Sequence, residues 1–385
     1  MPADMGLAAE WCGPKLQGSS VTEVVTLRVG GEDLTLVLTG FGRRGAGPPL
    51  LLSGGALAPL ALPEDDTLPR IGKVWAFPGP PGDSVLVSGP DGIYELTIAP
   101  DRSTTAELLV ALPETTDSVD VWIAPDTRAL TVAVFDDRCE PIHPDDPRVE
   151  PPPPRPLDVC VWSSTSPTWR DLCQTPRESG GLAVSATAAV WLAYNSYISE
   201  ESSAGAYYGI KLDAPGSAME CLTPSDSSLP LLQSGMPPAG AGKVRAAAFT
   251  PDGSSLILHA NFSVVHAVTA ACGLWACAWP AGPALSRTRL TEAGHEIQKF
   301  GWGGEGRGIW ATALEGVDRR TFFLSGDEIG ASISTNVALT STGVVVYGLD
   351  TPDEFPAVWQ LQKQSPPQLG SLVTFNLTSV TTSLT

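Results

Sequence analysis

One pattern, strand, tight turn, strand, recurs along this chain and narrows the folds open to it. "VRAAAFTPDGSSLILHAN" (Val244–Asn261) is the plainest copy: an apolar run ending at Phe249, the turn Thr-Pro-Asp-Gly, and a second apolar run. Pro presets the turn and Gly supplies the left-handed residue that closes it. "VWIAPDTRALTVAVF" (Val121–Phe135) has the same design, with Trp122 in the place of Phe249. Trp302 in "KFGWGGEGRGIWATAL" (Lys299–Leu314) and Leu339 in "VALTSTGVVVYGLD" (Val337–Asp350) repeat it. "LAVSATAAVWLAYNS" (Leu182–Ser196), "VWAFPGPPGDSVLVSGPDGIYEL" (Val74–Leu96) and "VVTLRVGGEDLTLVLTG" (Val24–Gly40) are looser copies.

Anchors at Leu27, Trp75, Trp122, Val184, Phe249, Trp302 and Leu339 mark seven units, with a mean step of about 52 residues. Helical solenoids of similar period need a 3.6-residue apolar repeat, which is almost absent. Short β-rich runs parted by turns instead predict an all-β chain: a β-propeller of seven four-stranded blades. Gly 39 and Pro 36, spread along 385 residues, suit so many turns. The propeller is expected over 21–376, with tails at 1–20 and 377–385. Outer halves of blades are read at Ala206–Pro224, Cys272–Gly294 and Pro356–Asn376. Large anchors such as Trp122, Phe249 and Trp302 would fill the wedges between blades, as core. The Pro-rich "HPDDPRVEPPPPRPLD" (His143–Asp158) reads as a semi-rigid loop inside the third blade, because a strand follows at Val159–Trp162. Ser225–Lys243 reads as a loop between blades.

Net charge is −19, from Lys+Arg 23 against Asp+Glu 42, with no clustered cations. That excludes nucleic acid as an expected partner, and an acidic surface also repels anionic membranes. Residues 253–286 lack Asp, Glu, Lys and Arg, but His259, Asn261, His266, Gly273 and Pro280 interrupt the run. Two buried strands, Leu256–Ala260 and Leu274–Trp279, explain it better than a membrane span. The N-terminus has neither a basic region nor an apolar core of a secretory leader, so a cytoplasmic location is expected. Cysteines at 12, 139, 160, 173, 221, 272 and 277 are odd in number and irregular in spacing, and read as buried thiols. Cys272 and Cys277 lack a second Cys/His pair that would complete a metal site.

Acyl transfer would need Gly-x-Ser-x-Gly on a strand-to-helix elbow, an acid and a His. The chain contains no Gly-x-Ser-x-Gly. Of His143, His259, His266 and His295, the second and third lie in strand-like apolar sequence and read as core. Glu200-Glu201, in "NSYISEESSAGAYY", reads as a solvated loop. No phosphate loop or dinucleotide fingerprint is present. The expectation is therefore no catalytic residue, no cofactor and no metal on this chain.

"AAFTPDGSSLIL", the blade endings "ECLTP" and "TRLTEAG", and the closing "TPDEFPAVWQLQKQSPPQLGSLVTFN" resemble the propeller of the prolyl oligopeptidase family of serine peptidases. The likeness is to its acylaminoacyl-peptidase and dipeptidyl-aminopeptidase branches, runs over Asp117–Asn376, and extends to TolB-like propellers. The exit departs from the family's Leu-Thr, because Val373 separates Leu372 from Thr374. In that family an α/β-hydrolase domain follows the propeller and carries the catalysis, whereas this sequence stops nine residues after Asn376. The resemblance implies a non-catalytic propeller that gates access to a serine peptidase by substrate size. Its partners would be an α/β-hydrolase domain or another protein, with peptide as substrate, and one face would carry an exposed apolar patch. A stand-alone protein-binding scaffold and a propeller glycosidase, with carboxylates converging on the channel, are the alternatives.

Overall fold

The computed structural model describes residues 7–11, 20–40, 47–53, 56–63, 68–137, 157–175, 179–193, 206–214, 216–222, 243–261, 273–282, 287–291, 296–302, 309–315, 318–324, 328–331, 334–339, 345–351 and 354–363. Among the described residues there is no helix, and the chain has the all-β fold of a β-propeller. The strands pair into seven four-stranded sheets. They belong to two compact units, Met1–Leu112 with Ile297–Thr385, and Pro113–Glu296.

In the first unit, the first sheet is β2 (Ser20–Val29), β3 (Glu32–Gly40), β4 (Leu50–Ser53) and β5 (Ala56–Pro59). The second is β6 (Val74–Trp75), β7 (Ser84–Ser88), β8 (Gly92–Ile98) and β9 (Thr104–Ala111). The sixth is β22 (Glu296–Trp302), β23 (Ile309–Glu315), β24 (Asp318–Phe323) and β25 (Glu328–Ala331). The seventh joins both ends of the chain: β26 (Ser334–Leu339), β27 (Val345–Thr351) and β28 (Glu354–Lys363), then β1 (Leu7–Trp11) on the outside. β1 lies within the stretch expected to be a tail; it pairs antiparallel with β28 from Leu7↔Lys363 to Trp11↔Trp359. β2 packs against the seventh sheet.

The second unit holds the third sheet, β10 (Thr116–Ile123), β11 (Leu130–Asp136), β12 (Asp158–Ser163) and β13 (Ser166–Gln174). The fourth is β14 (Ser179–Val184), β15 (Ala188–Ala193), β16 (Ala206–Lys211) and β17 (Glu220–Cys221). The fifth is β18 (Lys243–Phe249), β19 (Leu256–Asn261), β20 (Gly273–Cys277) and β21 (Arg287–Arg289). Each of the seven anchors read from sequence lies on the first strand of a different sheet. The Pro-rich segment falls between β11 and β12 of one sheet, and Ser225–Lys243 runs between the fourth and fifth sheets up to the first residue of β18. Most of both segments, with the tail 377–385, lies outside the described residues.

Packing explains the strand spelling. A strand sends successive side chains to opposite faces. On β15, Ala188, Val190 and Leu192 join a core with Phe249, Leu256, Leu258 and Trp279 of the fifth-sheet region. Ala189 and Trp191 join the opposite core, with Ala133, Phe135 and Val159 of the third sheet. Both faces are covered, so β15 is apolar throughout, as is most of the fully buried β11. The outermost β13 is covered far less and reads Ser-Pro-Thr-Trp-Arg-Asp. In the first unit, Leu27, Leu34, Leu36 and Leu51 pack with Val85, Val87, Leu96 and Ile98 of the next sheet. Phe249 fills a wedge as expected, and Trp122 packs half-buried against the core shared by the third and fourth sheets.

Two local devices finish the sheets. Trp279 lies so close over β16 that a Cβ at Gly209 would sit 2.6 Å from its Cη2 and 3.0 Å from Leu222 Cδ1. The indole is fixed by donating Nε1–H to Glu220 Oε2 at 3.2 Å. Threonines close the fourth strands. Thr175 Oγ1 accepts the Leu157 N–H at 2.9 Å, and Thr291 Oγ1 accepts the Leu274 N–H at 3.1 Å. The Leu290-Thr291 ending is thus a cap on the strand beside it.

Gly209→Ala should cost about 1–3 kcal/mol by overpacking against Trp279, read as a lower denaturant midpoint at unchanged m. Thr175→Val should cost about 1–3 kcal/mol by leaving the buried Leu157 N–H unpaired, whereas Thr175→Ser should keep most of the stability.

Candidate functional site

Topology sorts the connections of the second unit by end. In an up-and-down sheet, turns from first to second and from third to fourth strand share one end. Second-to-third connections and the passages to the next sheet share the other. At the first end every connection is nine residues or shorter. At the second end lie the long segments 137–157, 194–205, 222–242 and 262–272. His143, the proline run, Glu200-Glu201 and His266 fall in these segments of the sequence, and all lie outside the described residues.

The short-turn end is packed and self-satisfied. Gly253, at φ +71°, closes the Thr-Pro-Asp-Gly turn, and a Cβ there would meet Ser185 Cβ at 3.4 Å and Trp122 at 3.6 Å. The turns of the fifth and fourth sheets and the end of β10 in the third therefore come together here. The Asp252 carboxylate accepts from Thr250 Oγ1 at 2.6 Å, and from Ser254 N at 3.1 Å and Oγ at 2.9 Å. Hydrogen bonds from Thr250 and then Ser254 hold it below the usual carboxylate range. In the first unit, Asp101, after Pro100, accepts from Ser103 N and Oγ and is lowered likewise. Arg102 there has φ 71°, the left-handed conformation of Gly253. These aspartates build turns and stay ionised, so they cannot serve as proton donors near neutral pH.

Other carboxylates tie first strands together. Glu23 on β2 accepts the Val74 N–H of β6 at 2.8 Å, and Asp120 on β10 accepts the Val184 N–H of β14 at 3.0 Å. In the first unit Arg102 Nη2 donates to Glu32 Oε2 at 2.8 Å and to Ser53 Oγ at 3.0 Å. Ser53 Oγ donates to Glu32 Oε1 at 2.6 Å. The cluster pins the β8–β9 turn to the first sheet.

His259 is buried on β19, in keeping with its reading as core. Cys160, Cys173, Cys221 and Cys277 are free thiols. Burial and then the negative charge of Asp158 push Cys173 up to about 11, and burial raises Cys277, so neither is a thiolate near neutral pH. Among the described residues no group of three or more His, Cys, Asp or Glu gathers as a metal site. No helix among them is long and apolar enough to cross a membrane. Two large hydrophobics are exposed among the described residues, Leu108 on β9 and Leu290 just past β21.

Glu32 is held below the ordinary value of 4.5 chiefly by the Ser53 hydrogen bond, with the Arg102 charge adding to it. A depressed carboxylate stabilises the fold above its unfolded pKa, and the effect fades as pH falls through the folded value. Glu32→Gln should therefore lower the melting temperature slightly at pH 7. The difference from the parent should shrink below pH 4.5 and in molar salt, measured by thermal scans across pH.

No family model matches this chain, and no curated protein matches it. Solved structures do. Acylaminoacyl peptidase from Pyrococcus horikoshii aligns at 10% identity and TM-score 0.51, over 97% of this chain and 55% of that one. The propeller domain of the trilobed protease from Pyrococcus furiosus aligns at 11% identity and TM-score 0.47, over 92% of this chain and 96% of that domain. TolB from Acinetobacter baumannii aligns at 11% identity and TM-score 0.40, over 89% and 80%. This chain spans about half the length of the acylaminoacyl peptidase it matches. The resemblance read from the blade spelling is thus a likeness of fold, to the propeller of acylaminoacyl peptidase.

Proposed function

We propose that the seven sheets form one ring of seven blades and that this chain is the non-catalytic, substrate-filtering half of a prolyl-oligopeptidase-like serine peptidase. The observation that carries this reading is the fold match along 97% of the chain to 55% of acylaminoacyl peptidase. The packing of the first sheet against the seventh supports a closed ring. The missing Gly-x-Ser-x-Gly supports a role without catalysis. The described turn aspartates point the same way, since their carboxylates are engaged by their own turns.

The filter would act by steric exclusion. First strands line a propeller's channel, and carboxylate ties such as Glu23–Val74 and Asp120–Val184 hold neighbouring first strands together. A short extended peptide can enter such a bore, and a folded domain cannot. The hydrolase partner would sit at the end of the long segments, where insertion is tolerated without disturbing sheet packing.

The test is direct. The purified chain should neither be labelled by a fluorophosphonate probe nor cleave acyl-peptide or dipeptide chromogenic substrates. Mixed with an α/β-hydrolase domain of acylaminoacyl-peptidase type, it should bind, and should cut hydrolysis of protein-length chains about tenfold more than that of short peptides. Stoichiometric labelling of a serine on this chain, or a complex that leaves the size preference of the hydrolase unchanged, overturns the reading.

A further inference from the structure

β1 is hydrogen-bonded to a single strand, β28, and stands at the outer edge of its sheet. Residues 12–19 connect it to β2. The register is selective. Leu7, Ala9 and Trp11 stand opposite Lys363, Leu361 and Trp359, while Ala8 and Glu10 stand opposite Gln362 and Gln360. Directly opposite residues share a face, so most of the apolar set meets its like, and a slip by one residue would set either Trp11 against Gln360 or Glu10 against Trp359.

We propose that the outer edge of β28 is an exchangeable strand-binding site, and that its partner is the β1 strand of a second copy of this chain. In the resulting two-fold dimer, each N-terminal strand completes the seventh sheet of the other copy. Such an exchange keeps every pairing of the register, since the incoming strand is identical to the one displaced. Each copy offers one such strand and one such edge, so a reciprocal exchange closes at two.

What favours the chain's own strand is its tether, which gives it an effective concentration in the millimolar range. Eight linking residues reach at most about 27 Å. β1 lies three strand spacings, about 14 Å, from β26. β2 then begins in the neighbouring first sheet, which packs against the seventh. Deleting four linker residues would cut the reach by about half and leave it too short for docking within one copy. The inference does not depend on the peptidase reading, because it concerns only the seventh sheet.

Two experiments on the full chain test it. The register places residue 9 opposite residue 361, close enough for a disulfide across the pair. A chain carrying Ala9→Cys and Leu361→Cys together should close that link within itself. An equimolar mixture of Ala9→Cys and Leu361→Cys single variants, oxidised at high concentration, should form the 9–361 link between copies, mapped by peptide mass, with a yield that rises with concentration. No link in the mixture, where the double variant closes its own, overturns the proposal, as does failure of the double variant to close. Separately, deletion of Lys15–Gly18 should convert the monomer to a dimer by light scattering. Adding Ala8→Pro and Ala9→Pro to the deleted chain should abolish that dimer, since adjacent prolines must remove a ladder N–H. A deleted chain that is folded and monomeric, or a dimer that survives both prolines, overturns the proposal. The mixed-variant experiment stands whether or not the deleted chain folds.

Discussion

A four-stranded sheet has two faces, and in this chain both must be covered by other sheets. The constraint is clearest at β15, whose residues alternate between two separate cores. Trp191 goes to one side, Val190 and Leu192 to the other. Truncating a buried tryptophan of this kind costs about 3–5 kcal/mol, a large part of a domain's total stability. Second strands such as β11 and β15 are therefore apolar at nearly every position, whereas the outermost β13 is largely polar. The same constraint makes a glycine necessary at 209, where an indole from beyond the fifth sheet lies on the backbone of the fourth.

Much of this was legible because turn chemistry is local. Pro-Asp-Gly after Phe249 and Pro-Asp after Trp122 each spell a turn within a few residues, and the anchors beside them land one to a sheet. β1 was not legible. "LAAEW" has no turn beside it that announces a strand, and its partner lies about 350 residues away. The Thr175 cap left a signal that could have been read: Gln174-Thr175-Pro176 repeats the spelling of Leu222-Thr223-Pro224. The ties from Glu23 to Val74 and from Asp120 to Val184 left none, because a carboxylate on one strand does not declare which distant N–H it will accept.

The functional reading has a different physical basis. Residues that resemble catalytic types, such as Asp252 and the buried His259, turn out to be turn and core groups once their surroundings are known. Sequence position alone cannot separate an aspartate that moves protons from one that holds a turn; the donors around it do. What distinguishes the two ends of the second unit is the length of the connections. Long connections leave from one end only, so that end can vary in sequence while the packed sheets keep their spelling.

The seventh sheet also sets an order in time. β1 leaves the ribosome about 350 residues before the strand it pairs with, β28. At 5–20 residues per second, the wait is roughly 20–70 seconds. During that interval Leu7–Trp11 is an unpaired strand beside a growing chain of exposed edges, the condition under which nascent chains pair wrongly. Its brevity and the charge of Glu10 beside its centre are what a strand needs to wait in water without finding another partner.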